Sequence, residues 1–446
     1  MSMSKSPRFS FVGLFLFSTA IVILSAQSLS KIRRVDIQAG HQMIGILREE
    51  LPKNFVDPGF FGLDIPGSFT SAEGKLDNAQ SLAQVYAIVA QPLFALNDQH
   101  TFFIPPKRTA RVDYGFQIRV IGDKPFITAV HPASDAAKKN LKVGDEVISA
   151  NGFTLTRGNL WKYVYVNYIV RPGTTPVLVV RGPDGKQKKL SPNSKVTQNQ
   201  AVLQFDSTSD GKLDPKNMIN WVIDEVRLRK NRLKEVGDVV IWQAPHLDMD
   251  ETTLDGMMAS VRNKPALILD LRENVGGHEG NLERLAGFFV EKDTKIADFQ
   301  GRRSIEPLIA RGRADFYKGK LVVLTDSATS GAAELLARFI QLEKRGTVIG
   351  DVSAGSVLRA RLHTFALGEN TFSASISEAA PLMSDGVCIE RLGVTPDELV
   401  LPTAQDLAES KDPVLSRAAQ ILEVQLDPVK AGALCPIEWQ GDLLKE

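Results

Sequence analysis

The stretch Lys320–Ser356, KLVVLTDSATSGAAELLARFIQLEKRGTVIGDVSAGS, constrains this chain more than any other. Its apolar run Leu321-Val322-Val323-Leu324 is short, β-branched and followed by Asp, Ser and Thr, which predicts a buried strand ending in a turn. A helix is predicted next: Ala332, Ala333, Leu335, Leu336, Ala337, Phe339 and Ile340 give helix formers and an apolar stripe, with Ser330 and Gly331 where an N-cap belongs. A corner of this kind aims backbone N–H groups and a helix dipole at whatever lies in front of it. That is the construction of an oxyanion hole. A second short strand, Thr347–Gly350, leads into the loop Asp351–Ser356, which can return to the same corner.

At 446 residues the chain is too long for one ordinary core. Lys and Arg total 53 against 52 Asp and Glu, so charge gives no argument for nucleic acid as a partner. The N-terminus carries Lys5 and Arg8 ahead of an apolar run to Leu24, with Ala26-Gln27-Ser28 as a small-x-small cleavage site. This predicts a secretory signal at 1–28, with an uncleaved membrane anchor as the alternative, and in both cases an extracytoplasmic (periplasmic or secreted) folded part. The membrane is expected to be touched only through that segment. Cys388 and Cys435 are the two cysteines, and in an oxidising compartment they could pair.

The corner resembles that of the C-terminal processing (tail-specific) serine proteases, relatives of the tricorn core and of the retinoid-binding repeats of the eye. Those proteins carry a Ser nucleophile just before A-S-E and a Lys general base after a T-x-G. Aligned on Ala332-Ala333-Glu334, the nucleophile's position is Gly331; aligned on Gly350 and Gly355, the base's position is Ser356. The resemblance continues in Ala266–Gly277, ALILDLRENVGG, where by family position Gly277 and Ala332 would donate the two oxyanion-hole amides. Asp270 and Arg272 in it read as a structural pair, since buried charges need partners. It also appears in Leu96–Pro106, LNDQHTFFIPP, ahead of the ligand domain, in which tricorn-type relatives are thought to place a catalytic His. Here that residue is His100, with Asp98 beside it, and the plainer reading of both is a hydrogen-bonded domain junction. Ser384–Asp397 closes the resemblance.

Residues 109–192 resemble a PDZ domain. Tyr114, Gly115, Phe116, Gln117 and Ile118 stand where the carboxylate-binding loop and following strand belong, and Leu141–Gly152 matches the domain's L-x-x-G-D segment. Successive loop N–H groups can hold a terminal carboxylate while the strand edge pairs with the peptide. Asn159–Ile169 is the expected helix of the groove.

The implied architecture is α/β multidomain: signal 1–28, N-terminal helical domain 29–108, PDZ domain 109–192, a connector with a helix (Lys216–Lys234) over 193–236, a crotonase/ClpP-like protease core over 237–405, and a tail over 406–446. Within the connector, Asp206–Asp214 resembles part of a calcium-binding loop but has Asn217 where the bidentate Glu is wanted, so a turn is preferred and neither metal nor cofactor is expected. Three functions stay open. The first is a protease-fold protein that binds unfolded or C-terminal peptide segments of proteins with a degenerate Ser/Lys site. The second is a serine-type peptidase with Ser330 as a shifted nucleophile and His100 as base. The third is a carrier of an apolar ligand.

Overall fold

The computed structural model describes residues 34–106, 110–198, 227–228, 230–368 and 370–439. The expected signal and the calcium-like loop lie outside these residues. Six strands form the central sheet in the order Arg232–Val236, Val239–Gln243, Ala266–Asp270, Lys320–Thr325, Thr347–Gly350 and Glu398–Leu399; the first pair is antiparallel and the rest are parallel. Successive side chains point to opposite faces, and both faces are covered. Val240, Trp242, Leu267, Leu269, Leu321 and Val323 pack with helices Glu251–Val261, Glu279–Gly287 and Ala332–Leu342. Val239, Ile241, Ile268, Val322, Leu324 and Ile349 pack instead with Val414, Leu415 and Ala418 of helix Pro413–Ile421. Continuous apolar strands such as ALILD are the consequence.

Two expectations change here. Residues 232–234 are not the end of a connector helix: Val236 pairs with Val239 around Gly237-Asp238, with Gly237 at φ +58°, so they are one arm of a two-residue hairpin that opens the sheet. The segment after 405 is not a mere tail either. Its helix packs on one face of the sheet and is fastened there by Asp412, whose carboxylate takes bonds of 3.0 and 2.8 Å from Arg272, itself bonded to Asp270 at 2.8 and 2.7 Å.

A second sheet holds Phe102–Ile104, Leu308–Ala310, Thr294–Gly301, Arg359–Leu367 and the long strand Asn370–Met383. Helices Arg34–Asn54, Ile65–Leu76 and Leu82–Ala95 bury Ile44, Leu47, Phe69, Val85 and Val89 against Phe103, Phe372 and Ile376. Phe102–Ile104 pairs with Ser373–Ser375, so the residues just before it are carried to the edge of the core.

Residues 110–198 contain a separate five-stranded antiparallel sheet, Phe116–Ile121, Lys124–Val130, Glu146–Ala150, Leu178–Arg181 and Gln187–Leu190 in sequential order. The groove helix is Leu160–Val164, continued as a wider π-turn over Tyr165–Val170. This unit is tied to the core beside the corner. Arg157 donates to Asp351 at 2.7 Å and to the Val352 carbonyl at 2.8 Å, and the Gly122 N–H donates to Asp351 at 2.8 Å.

Candidate functional site

Lys320–Thr325 delivers the chain to the corner, and Gly331 makes the turn. Its backbone, φ +61° and ψ −129°, is one that L side chains rarely adopt. A Cβ built there would meet nothing closer than 3.6 Å, so the constraint is torsional and space for a side chain remains. The Gly331 N–H donates to the Ser356 carbonyl at 2.8 Å and the Ser330 N–H to the Asn274 carbonyl at 2.8 Å. Strand-end loops of three parallel strands are thereby stitched together.

The fastening at the centre is Glu334. It is fully buried in the first turn of the helix, and its carboxylate accepts from Ser353 Oγ at 2.5 Å, Gly355 N–H at 2.6 Å, Ser356 N–H at 2.9 Å and Gly331 N–H at 3.2 Å. A buried carboxylate needs such a full set of donors. Sequence reading assigned Glu334 no role, though an acid at N3 of a helix is a visible capping signal. Glu390 holds the far side of the same loop, accepting from the Val357 and Leu358 N–H groups at 2.8 and 3.2 Å.

His100 is buried and enters from the second sheet. Its own N–H donates to Asp98 Oδ1 at 2.8 Å, Asp98 Oδ2 accepts from Thr101 and Ser377 hydroxyls at 2.6 Å each, and Ser375 Oγ donates to the His100 carbonyl. Asp98 therefore fixes the backbone of the junction. The ring itself is held by Ser356: Oγ lies 2.9 Å from Nε2. Residue 356, where the resemblance leads one to expect a lysine, is a serine whose hydroxyl pairs with a histidine.

A cleft of about 790 Å³ runs past this point, with His100, Gly277, Gly331, Ala332, Leu335 and Val357 on its wall. Gly277 and Ala332, the two expected amide donors, share it. Ala332 is the first helical residue, so its N–H has no carbonyl one turn back within the helix. Gly277, at φ +154°, leaves no room for a Cβ, which would sit 2.5 Å from the Leu247 carbonyl carbon. Ser356 is fully buried and off the cleft wall, so its hydroxyl stands behind the imidazole and not in front of it.

Ser330 is placed elsewhere. It is 1% exposed, lines a second hollow shared with the 110–198 unit, and its Oγ has no hydrogen-bond partner among the described residues. The structure does not join Ser330 to His100: the imidazole faces one cavity and the Ser330 hydroxyl lies against the other. Tyr114, Phe116, Gln117 and Ile118 all line the second hollow, with Gly115 at φ +71° in the turn before them. Burial pushes the Tyr114 phenol up to about 12, so it stays protonated and donates to the Asn167 carbonyl at 2.9 Å. Cys388 and Cys435 are not joined; burial raises the pKa of each thiol above its ordinary value. Among the described residues no cluster of three or more His, Cys, Asp and Glu side chains is placed to hold a metal ion.

Residues 238–400 of the α/β core match the family model described as Peptidase family S41. Similar proteins include the chloroplastic C-terminal processing peptidase of Tetradesmus obliquus, 26% identical over 344 residues, which are 72% of this chain and 70% of that one. A tricorn protease homolog of Streptomyces coelicolor is 31% identical over 160 residues, 36% of this chain and only 13% of that protein's length. Among solved structures, mature CPAF shares the fold with a TM-score of 0.63 at 13% identity, covering 84% of this chain and 94% of that one.

Proposed function

We propose that this protein is an extracytoplasmic member of the processing-protease family that binds unfolded or C-terminal peptide segments and does not cleave them. The observation that carries this reading is Gly331. A serine peptidase needs a hydroxyl projecting between the base and the oxyanion donors, and at that place in the cleft the chain has a hydrogen atom. Ser356 cannot replace it from behind the His100 ring, and Ser330 has no base within reach. What the corner retains, the Gly277 and Ala332 amides beside Leu335 and Val357, suits binding of an extended chain. The five-stranded unit supplies a PDZ-type groove at Tyr114–Ile118 for a terminal carboxylate and a strand edge for β-augmentation.

One observation favours a serine-type peptidase instead, the 2.9 Å contact between Ser356 and His100. A single experiment separates the two. The protein is incubated with unfolded casein and with a fluorophosphonate probe, and peptide binding is followed in parallel. Saturable binding with no cleavage and no labelling supports the proposal. Cleavage that disappears in both Ser356→Ala and His100→Ala establishes the peptidase.

A further inference from the structure

The second sheet leaves one long edge open beside the cleft. Strand Arg359–Leu367 pairs along one side with Asn370–Met383 and has no strand on its other side among the described residues. Successive side chains of a strand point to opposite faces, so a cavity lying over one face would be lined by every second residue. The cleft of about 790 Å³ is lined by Arg359, Ala360, Arg361 and Leu362 without interruption, and Gly331 and Ala332 of the corner share it. It therefore meets the strand at its edge.

Register decides which backbone groups face outward. Leu367 and Asn370 are partners across a two-residue connection, and such a closing pair exchanges both of its hydrogen bonds within the hairpin. The alternation then turns the N–H and C=O of Ala360, Leu362, Thr364 and Ala366 away from Asn370–Met383. None of these groups meets a backbone partner among the described residues. Natural sheets blunt an edge of this length with charge, proline or a covering segment. Here both arginines stand at the cleft end, Arg359 paired with Glu279 at 3.1 Å and Arg361 with Glu378 at 3.2 Å. From Leu362 to Leu367 the strand holds no proline, lysine or arginine, and Thr364 and Ala366 are exposed.

We infer that this edge is a second peptide site, separate from the groove at Tyr114–Ile118: an internal segment of an extended polypeptide pairs as a further strand along Ala360, Leu362, Thr364 and Ala366, with one end in the cleft that Gly277 and Ala332 line. This rests on the peptide-binding function proposed above. The edge spans roughly 20 Å at about 3.3 Å per residue, so about seven ligand residues lie along it. Main-chain bonds supply the affinity and need no terminal carboxylate. Ala360, Leu362, Thr364 and Ala366 share one face and are uncharged, so ligand residues set beside them are uncharged too.

The test uses the full-length chain and the fluorescein-labelled peptide Ac-Lys-Thr-Val-Thr-Val-Thr-Lys-NH2, whose blocked ends cannot use a carboxylate-binding loop, with affinities read by anisotropy. Saturable binding is expected. Ala360→Pro and Ala366→Pro each remove one outward N–H and put a ring in the path of an added strand while sparing the ladder bonds, and each should weaken binding by about fivefold or more. Unchanged melting curves show that the hairpin is intact. Independently of any variant, methylating the peptide's N–H groups one at a time should weaken binding at every second position, because a strand turns only alternate N–H groups to its neighbour. The inference is overturned by proline variants that bind as the wild type does, by losses spread evenly over the methylated positions, or by a blocked peptide that fails to bind where one with a free carboxyl terminus binds. Each of these leaves peptide binding at Tyr114–Ile118 in place. A dimer in sedimentation that Ala366→Pro dissociates assigns the edge to a second copy of the chain and overturns the inference too. Failure of every peptide to bind removes the proposed function itself, and the inference with it.

Discussion

The two sides of the Gly331 corner are built from adjacent residues and are chemically opposite. On the cleft side, His100 pairs with Ser356 and the loop amides pair with buried Glu334 and Glu390. On the other side, Ser330 stands on the wall of a hollow shared with Tyr114, Phe116 and Trp161, and its hydroxyl has no hydrogen-bond partner among the described residues. Buried polar groups with a full set of partners fix the loops around them, and a hydroxyl without one adds no such restraint.

The sharpest way to break the contrast is Glu334→Ala. Removing a buried carboxylate that satisfies four donors is expected to destabilise the protein by at least about 3 kcal/mol. Chemical denaturation measures this, and a loss below about 1 kcal/mol would mean that the corner is held by something else. Asp412→Ala comes next, with an expected loss of about 2–4 kcal/mol because Arg272 loses a partner and the helix over the second sheet face is unfastened.

The Asp412 carboxyl also carries a pH signature. Burial raises its pKa, but the attraction and hydrogen bonds of Arg272 outweigh this and hold it below the ordinary carboxylate value. A depressed folded-state pKa contributes stability that is fully present above the unfolded-state value and is lost as pH falls through the folded one. Thermal melts should therefore show the wild type losing more of its Tm on acidification than Asp412→Asn does. Equal acid sensitivity would remove Asp412 from the account.

Gly331→Ser sharpens the comparison from the cleft side. A Cβ has space there, but φ +61° is strained for serine and should cost roughly 1–2 kcal/mol. If the cleft lacks only its nucleophile, this variant acquires fluorophosphonate labelling that His100→Ala then abolishes. Labelling of the wild type to the same extent would contradict the reading of the corner. The smallest expected effect is on the groove side. Ser330→Ala should leave unfolding stability within about 0.5 kcal/mol of wild type, since no protein hydrogen bond is lost; a larger loss would show that the hydroxyl has a structural partner.

Much of this was written in local patterns. The strand–corner–helix at 320–342 follows from an apolar run, a turn and a helical stripe, and the glycine at 331 was visible as a missing hydroxymethyl group by resemblance to a processing protease. The junction role of Asp98 and the Asp270–Arg272 pair followed from the cost of burying polar groups. The hairpin at Gly237-Asp238 has a sequence signal too, a two-residue turn between alternating residues, but the basic run before it also suits a helix. Asp412 gave no such signal, because its partner Arg272 lies 140 residues away.

The sequence by itself determined the strand, corner and helix at 320–342, the glycine at the corner and the absence of a lysine at 356, because backbone preference and side-chain chemistry are properties of the residues themselves. Only the tertiary structure decided that His100 meets Ser356 and not Ser330. That choice depends on a strand at 102–104 pairing with one at 373–375, which sets which side of a helix start an imidazole arrives on, and no local interaction encodes it.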